Sequence, residues 1–147
     1  MIYISHRGNL NGRNPQYENS DRYCQTAIDR GFNVEIDVWY TDTWWTGHDR
    51  PQYRVNTDFL KQKEVWCHAK NIEALDYMIK EDVNCFWHQG DDVTLTSTGY
   101  IWTHSDYNIY TPKSIACHMN QATKDELNFY KRQNVYGICS DYVGEFR

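Results

Sequence analysis

Residues 33–39 read NVEIDVW. The stretch is rich in β-formers, and the i, i+2 spacing of Glu35 and Asp37 puts both carboxylates on one face of a strand. Upstream, residues 21–30 have helical spacing at Tyr23, Ala27 and Ile28, with Asn19 or Ser20 as cap and Gly31 as stop. Before that helix lie a polar Gly/Asn-rich loop at 9–19 and a short strand at 2–5 that ends at His6. Downstream, Thr41-Asp42 turns the chain into a short extended piece at 44–46.

The same alternation continues to the end of the chain. Residues 58–63 form at most a short helix, and 64–69 form a strand. Asn71 caps a helix to about residue 81, with Ile72, Leu75, Tyr77, Met78 and Ile79 expected on its buried side. A strand at 84–87 precedes a β-hairpin over 93–103, turning at Ser97-Thr98-Gly99. A strand at 114–119, a helix at 124–133 and a strand at 135–140 complete the chain. Strands alternating with helices predict a mainly parallel sheet with functional residues at the C-terminal ends of its strands. About six principal strands and a hairpin are counted. The 147 residues form one domain, well short of the roughly 250 of a full eight-stranded α/β barrel. Any barrel here is therefore expected to be incomplete or stripped of some outer helices.

Composition narrows the function classes. Net charge is −5 with Lys and Arg scattered, which argues against nucleic-acid binding. No apolar run approaches the roughly 20 residues of a membrane span, and the opening MIYISHRG lacks the features of a secretory leader. The five cysteines are odd in number, widely spaced and without a C-x-x-C pair. Reduced thiols in a cytoplasmic protein are the simplest expectation. Six Trp and twelve Tyr supply rings that fill a small core with few residues.

Chemistry-bearing residues recur where strands end: His6-Arg7, Glu35 with Asp37, His48 in WTGHD, and His68 with Lys70. Paired carboxylates repel unless a cation or basic group compensates, and hard divalent cations take oxygen ligands. Taken singly, a Glu-x-Asp pair is most often solvated, a lone His is more often a surface residue than a catalyst, and Lys70 is a strand end beside a helix cap. Their shared location favours a site. His88 and Gln89 could face the same pocket, and Asp141 follows the last strand. His118 is assigned a structural role, as are most of Trp87, Tyr100 and Trp102, because hairpin aromatics usually pack across strands.

These residues resemble the glycerophosphodiester phosphodiesterase family, whose signature runs His-Arg-Gly, Glu-Asn-Thr, Glu-x-Asp-Val, His-Asp and Glu-x-Lys. The chain has HRG at 6–8, ENS at 18–20, EIDV at 35–38, GHD at 47–49 and HAK at 68–70. GICSDYV at 137–143 is similar to the family's closing Gly-x-x-Thr-Asp segment. Order and spacing agree to about residue 70, then only at the end. The resemblance implies a reduced TIM-barrel-like (β/α) fold, a small phosphodiester substrate and a divalent ion, Mg²⁺ or Ca²⁺. It implies His6 and His48 as the acid/base pair, Arg7 and Lys70 on phosphate oxygens, and Glu35 and Asp37 on the metal. Glu18 would orient a catalytic or ligand group.

Two departures stand out. His68 occupies the place of the family's third acidic ligand, which makes the site less hard and favours Mn²⁺, Co²⁺ or Zn²⁺. The middle of the chain is compressed, so substrate-specifying loops are largely missing. A catalytically silent relative that binds phosphorylated ligands or glycans is the alternative expectation, and a metal-dependent hydrolase of another phospho-bond is a third. A homodimer would cover the sheet edges that a truncated barrel leaves open.

Overall fold

The computed structural model describes residues 1–147. Ten strands join in one sheet: β1 (Ile2–His6), β2 (Asn33–Tyr40), β3 (Trp44–Thr46), β4 (Tyr53–Arg54), β5 (Val65–Ala69), β6 (Cys85–Phe86), β7 (Val93–Leu95), β8 (Ile101–Thr103), β9 (Ser114–Cys117) and β10 (Gly137–Ser140). Four α-helices accompany them: α1 (Asp21–Asp29), α2 (Thr57–Leu60), α3 (Ile72–Lys80) and α4 (Lys124–Arg132), and a 3₁₀ turn (Val143–Glu145) follows β10. One path runs β4-β3-β2-β1-β10-β9-β8-β7, and β5, which also pairs with β6, branches from β2. Pairing is parallel along β6-β5-β2-β1-β10-β9-β8. It is antiparallel in β2-β3-β4 and in the β7-β8 hairpin. The sheet curls into a half-barrel, and its ends approach each other where the backbones of Cys85 and Ser97 meet. There the Ser97 N–H donates to the Cys85 carbonyl at 2.7 Å, and the Cys85 N–H to Ser97 Oγ at 2.9 Å.

Strand periodicity separates two cores. Val34, Ile36 and Val38 of β2, Val65, Cys67 and Ala69 of β5, and Ile138 of β10 face outward into the larger cluster, with Ala27 of α1 and Met78 of α3. The alternate positions face inward, where Ile4, Trp66, Phe86, Trp102, Ile115, Cys117 and Cys139 form a second cluster inside the curl. Phe86 stacks on Trp102 with centroids 4.4 Å apart, so aromatic rings plug the interior and the free space lies above them. Two pairs of facing residues follow from the register: His6 lies beside Glu35, and Asp37 beside His68.

Helix starts follow their capping chemistry. Ser20 Oγ accepts from the Tyr23 N–H at the head of α1, and Asn71 Oδ1 from the Ala74 N–H at the head of α3. Thr123 and Glu126 form a full capping box at α4. Asn71 also bonds both backbone groups of Tyr40, which ties the start of α3 to the far end of β2.

Three expectations change. The sheet has ten strands, because Tyr53–Arg54 adds a two-residue piece antiparallel to β3, too short to carry a hydrophobic pattern. β2 extends to Tyr40, so Asp37 sits three residues before the strand ends. The buried face of α3 is Ala74 and Met78, with Ile72 71% and Ile79 58% exposed. At 100° per residue, positions 74, 75 and 78 share a narrow stripe, whereas 72, 77 and 79 fall outside it. All five cysteines are buried and unpaired. No helix is long and apolar enough to cross a membrane.

Candidate metal centre and its cleft

Above the aromatic plug lies a cleft of about 380 Å³ whose walls include His6, Arg7, Glu35, His48, His68, Lys70, His88 and Gln89. Residues from five separate segments of the chain thus meet at one mouth. Asp37, Glu18 and Asp141, all buried, lie beneath or beside it.

Glu35 and Asp37 are 3% and 0% exposed. Burial raises the Glu35 carboxyl above its ordinary range, and the charge of Asp37 adds to the shift. Asp37 goes the other way. Burial opposes its charge, but His68, Arg7 and Lys70 outweigh it and hold its carboxyl well below the usual carboxylate range. Arg7 Nε lies 3.0 Å from Asp37 Oδ2, Lys70 Nζ 3.7 Å and His68 Nδ1 3.2 Å from Asp37 Oδ1. Asn19 fixes the strand locally: its amide donates to Asp37 Oδ2 at 3.0 Å and accepts from the Asp37 N–H at 2.8 Å.

Glu35, Asp37 and His68 offer donor atoms all within 4.8 Å of one another, and the group can hold a metal ion. Two further observations fit an ion. Glu35 Oε2 is buried without a hydrogen-bond partner, a state that costs free energy unless a cation compensates. His68 Nε2 donates to the His88 carbonyl at 2.7 Å, which leaves Nδ1 turned toward both carboxylates. Metal-binding histidines characteristically give their second nitrogen to a backbone carbonyl in this way. Phe86 stacks on the His68 ring at 5.2 Å and 5° and fixes its plane.

His6 is the other well-anchored imidazole. Its Nδ1 donates to Asp141 Oδ1 at 2.8 Å, and its Nε2 lies 3.8 Å from Glu35 Oε2. Burial works against the protonated ring, but the Asp141 hydrogen bond and the charge of Glu35 prevail and raise its pKa. Asp141 is held in turn by Asn9 Nδ2 at 2.8 Å, and the same amide donates to Glu18 Oε1 at 2.9 Å. Glu18 therefore sits behind Arg7, 3.6 Å from Nη1. His48 stands at the rim with its side chain 48% exposed, and its Nδ1 donates to Asp49 at 2.7 Å.

Some members of the site escaped the sequence reading. His104 lines the cleft and lies 5.9 Å from His88, ring to ring. Its signal, a histidine directly after the strand YIWT, is the same that flagged His6. Asn9 and Asn19 hold three of the buried acids, yet in sequence Asn9 is only a polar loop residue and Asn19 only a cap candidate within ENS. His118 lies outside the cleft, with Nδ1 3.0 Å from the Tyr130 hydroxyl. Trp102 is both packing and cleft floor, whereas Tyr100 packs on Trp66 and Tyr136.

Comparison with family models, with characterised proteins and with solved structures found no match. The geometry stands alone.

Proposed function

We propose that the chain is a metal-assisted phosphodiesterase of the glycerophosphodiester type on a reduced TIM-barrel-like frame. The observation that carries this reading is the convergence of His6, Arg7, His48 and Lys70 on one cleft beside the Glu35–Asp37–His68 group. The motif order HRG, ENS, EIDV, GHD and HAK supports it by resemblance. So do Arg7 and Lys70 in the cleft wall, which can hold the non-bridging oxygens of a phosphate diester.

A divalent ion on Glu35, Asp37 and His68 would neutralise the charge that grows on the phosphoryl oxygens. The chain itself supplies the proton chemistry. Asp141 fixes Nδ1 of His6 as donor, so Nε2 is the nitrogen that takes or gives a proton in the cleft. His48, with Nδ1 occupied by Asp49, likewise presents Nε2. One histidine would deprotonate an attacking hydroxyl or water, and the other would protonate the leaving alkoxide. Arg7 is held between Glu18 and Asp37, which orients its guanidinium before substrate arrives. The buried free thiols agree with the cytoplasm as the proposed compartment.

Turnover of bis-(p-nitrophenyl) phosphate across a panel of divalent metals, with His6→Ala as control, tests the reading. Metal-dependent release of nitrophenolate that disappears in His6→Ala is expected. Equal turnover by the two proteins would sink it. Metal and phosphate binding with no turnover would favour the second reading, a silent phospho-ligand binder, for which the replacement of an acid by His68 is the supporting observation.

A further inference from the structure

A second cleft of about 300 Å³ adjoins the first, and Arg7 and His48 line both. It has no hydrophobic lining; its walls are Arg7, Arg13, Arg50, His48, Asp49 and Glu18 with Pro15, Asn19 and Gln52. One wall is the loop between β1 and α1, the other the turn between β3 and β4. The walls are tied together. Tyr53 of β4 donates its hydroxyl hydrogen to the Gln16 carbonyl at 2.7 Å, and Thr46 of β3 donates to the Asn19 carbonyl at 2.5 Å. The cleft is therefore a built feature of the fold rather than a chance gap between loops.

Its charge is unbalanced toward the cation. Glu18, nearly buried, serves two arginines at once, 3.3 Å from Arg13 Nε and 3.6 Å from Arg7 Nη1. Asp49 is turned to His48. Arg50 is exposed at the mouth, and Arg13 has a side chain 60% exposed, so both keep donors free for a ligand. Planar guanidinium groups match the oxygens of phosphate and carboxylate. In a protein of net charge −5, a local cluster of three arginines beside the proposed reaction centre is a selective feature.

We propose that this cleft receives one alcohol group of the phosphodiester, and that this group carries a second anionic substituent, a phosphate or carboxylate gripped by Arg13 and Arg50. The substrate is then a small, doubly anionic polar diester rather than one with an acyl chain, because no hydrophobic residue lines the cleft. The idea rests on the phosphodiesterase reading for the word substrate; the anion cleft itself stands on geometry alone.

Calorimetric titration of the full chain with inorganic phosphate and with 1,3-propanediol bisphosphate separates the two ideas. The bisphosphate should bind at least about tenfold more tightly, a ratio equal to about 1.4 kcal/mol. Arg13→Gln/Arg50→Gln should remove that advantage and leave the affinity for inorganic phosphate. Arg50→Gln alone, at an exposed position that bears no structural load, should remove part of it. Equal affinity for the two ligands, or an advantage that survives in the double variant, overturns the proposal. An advantage lost in the double variant, in a protein that turns over no phosphodiester, would keep the anion cleft and overturn the enzyme reading.

Discussion

Asp141 Oδ1 accepts from His6 Nδ1 at 2.8 Å across a sequence separation of 135 residues. The parallel pairing of β1 with β10, Ser5 opposite Ser140, brings the two together. An imidazole held this way has one nitrogen committed and the other free for proton transfer, and the carboxylate stabilises the imidazolium that forms.

Asp141→Asn keeps the size of the side chain and removes its charge. Turnover of bis-(p-nitrophenyl) phosphate should fall about 10²- to 10⁴-fold, while the affinity for inorganic phosphate, held by Arg7 and Lys70, stays within about twofold. A loss of phosphate affinity of the same size as the loss of turnover would mean that Asp141 supports the fold rather than the histidine.

Glu35→Gln should stabilise the metal-free protein. Burial and Asp37 both oppose the Glu35 charge, and the amide can donate to its neighbour. A gain of about 1 kcal/mol, roughly 2–4 °C in Tm, is expected, together with loss of the thermal shift that added metal gives the wild type. Scanning calorimetry with and without metal reads both. A lower Tm without metal would show that Glu35 is satisfied as it stands.

The ligand at position 68 should set metal preference. Two carboxylates and one imidazole favour Mn²⁺, Co²⁺ or Zn²⁺ over Mg²⁺ or Ca²⁺. His68→Glu adds a hard oxygen donor and should move the order of thermal shifts toward Mg²⁺ and Ca²⁺. An unchanged order in the variant would remove His68 from the ligand set.

How much of this site the sequence discloses depends on the range of the interactions. Glu35, Asp37 and His68 were legible because strand alternation is a local rule, and His6 and His48 because they follow recognisable strand ends. Asp141 was placed only loosely, since nothing local pairs residue 141 with residue 6. Asn9, and the bond of Asn19 to Asp37, were opaque for the same reason: they satisfy acids that become neighbours only after the sheet forms. The exposed face of α3 shows the opposite limit, where an apolar run exceeded what one narrow helix–sheet contact can bury. The curl of the sheet is a property of all its strands together, and no single segment announces it.

Acid should loosen the loop that carries Glu18. Burial raises its carboxyl, but the Asn9 hydrogen bond and Arg13 and Arg7 outweigh this and lower its pKa. A group with a lowered folded value stabilises above its unfolded value of about 4.3 and loses that contribution as pH falls through the folded one. Glu18→Gln should therefore be less stable than wild type by about 1–3 kcal/mol at neutral pH, with the gap closing as the pH falls below the ordinary carboxylate range. Urea midpoints of both proteins across that range check it; a gap independent of pH would show that the charge of Glu18 contributes nothing.

Gly8 decides whether Arg7 can face the acids at all. Arg7 has φ +56° and Gly8 φ +92°, so the chain turns sharply as it leaves β1 and delivers the guanidinium to Asp37. A Cβ at position 8 would meet Tyr23 Cδ1 at 2.5 Å and the Cys24 backbone N at 3.3 Å. The ring can swing, but the backbone of α1 cannot, and a left-handed φ adds strain of about 1–3 kcal/mol for any residue with a Cβ. Gly8→Ala should lower stability by at least that amount and, because relief requires the 7–8 turn to shift, weaken inorganic phosphate binding as well. Gly90→Ala serves as the comparison: nothing lies within 4 Å of a Cβ there, and its stability should stay within about 0.5 kcal/mol of wild type. Chemical denaturation of the two variants side by side, with phosphate titration of each, separates a turn that positions Arg7 from one that merely connects two elements; equal stabilities would dismiss the turn as a constraint.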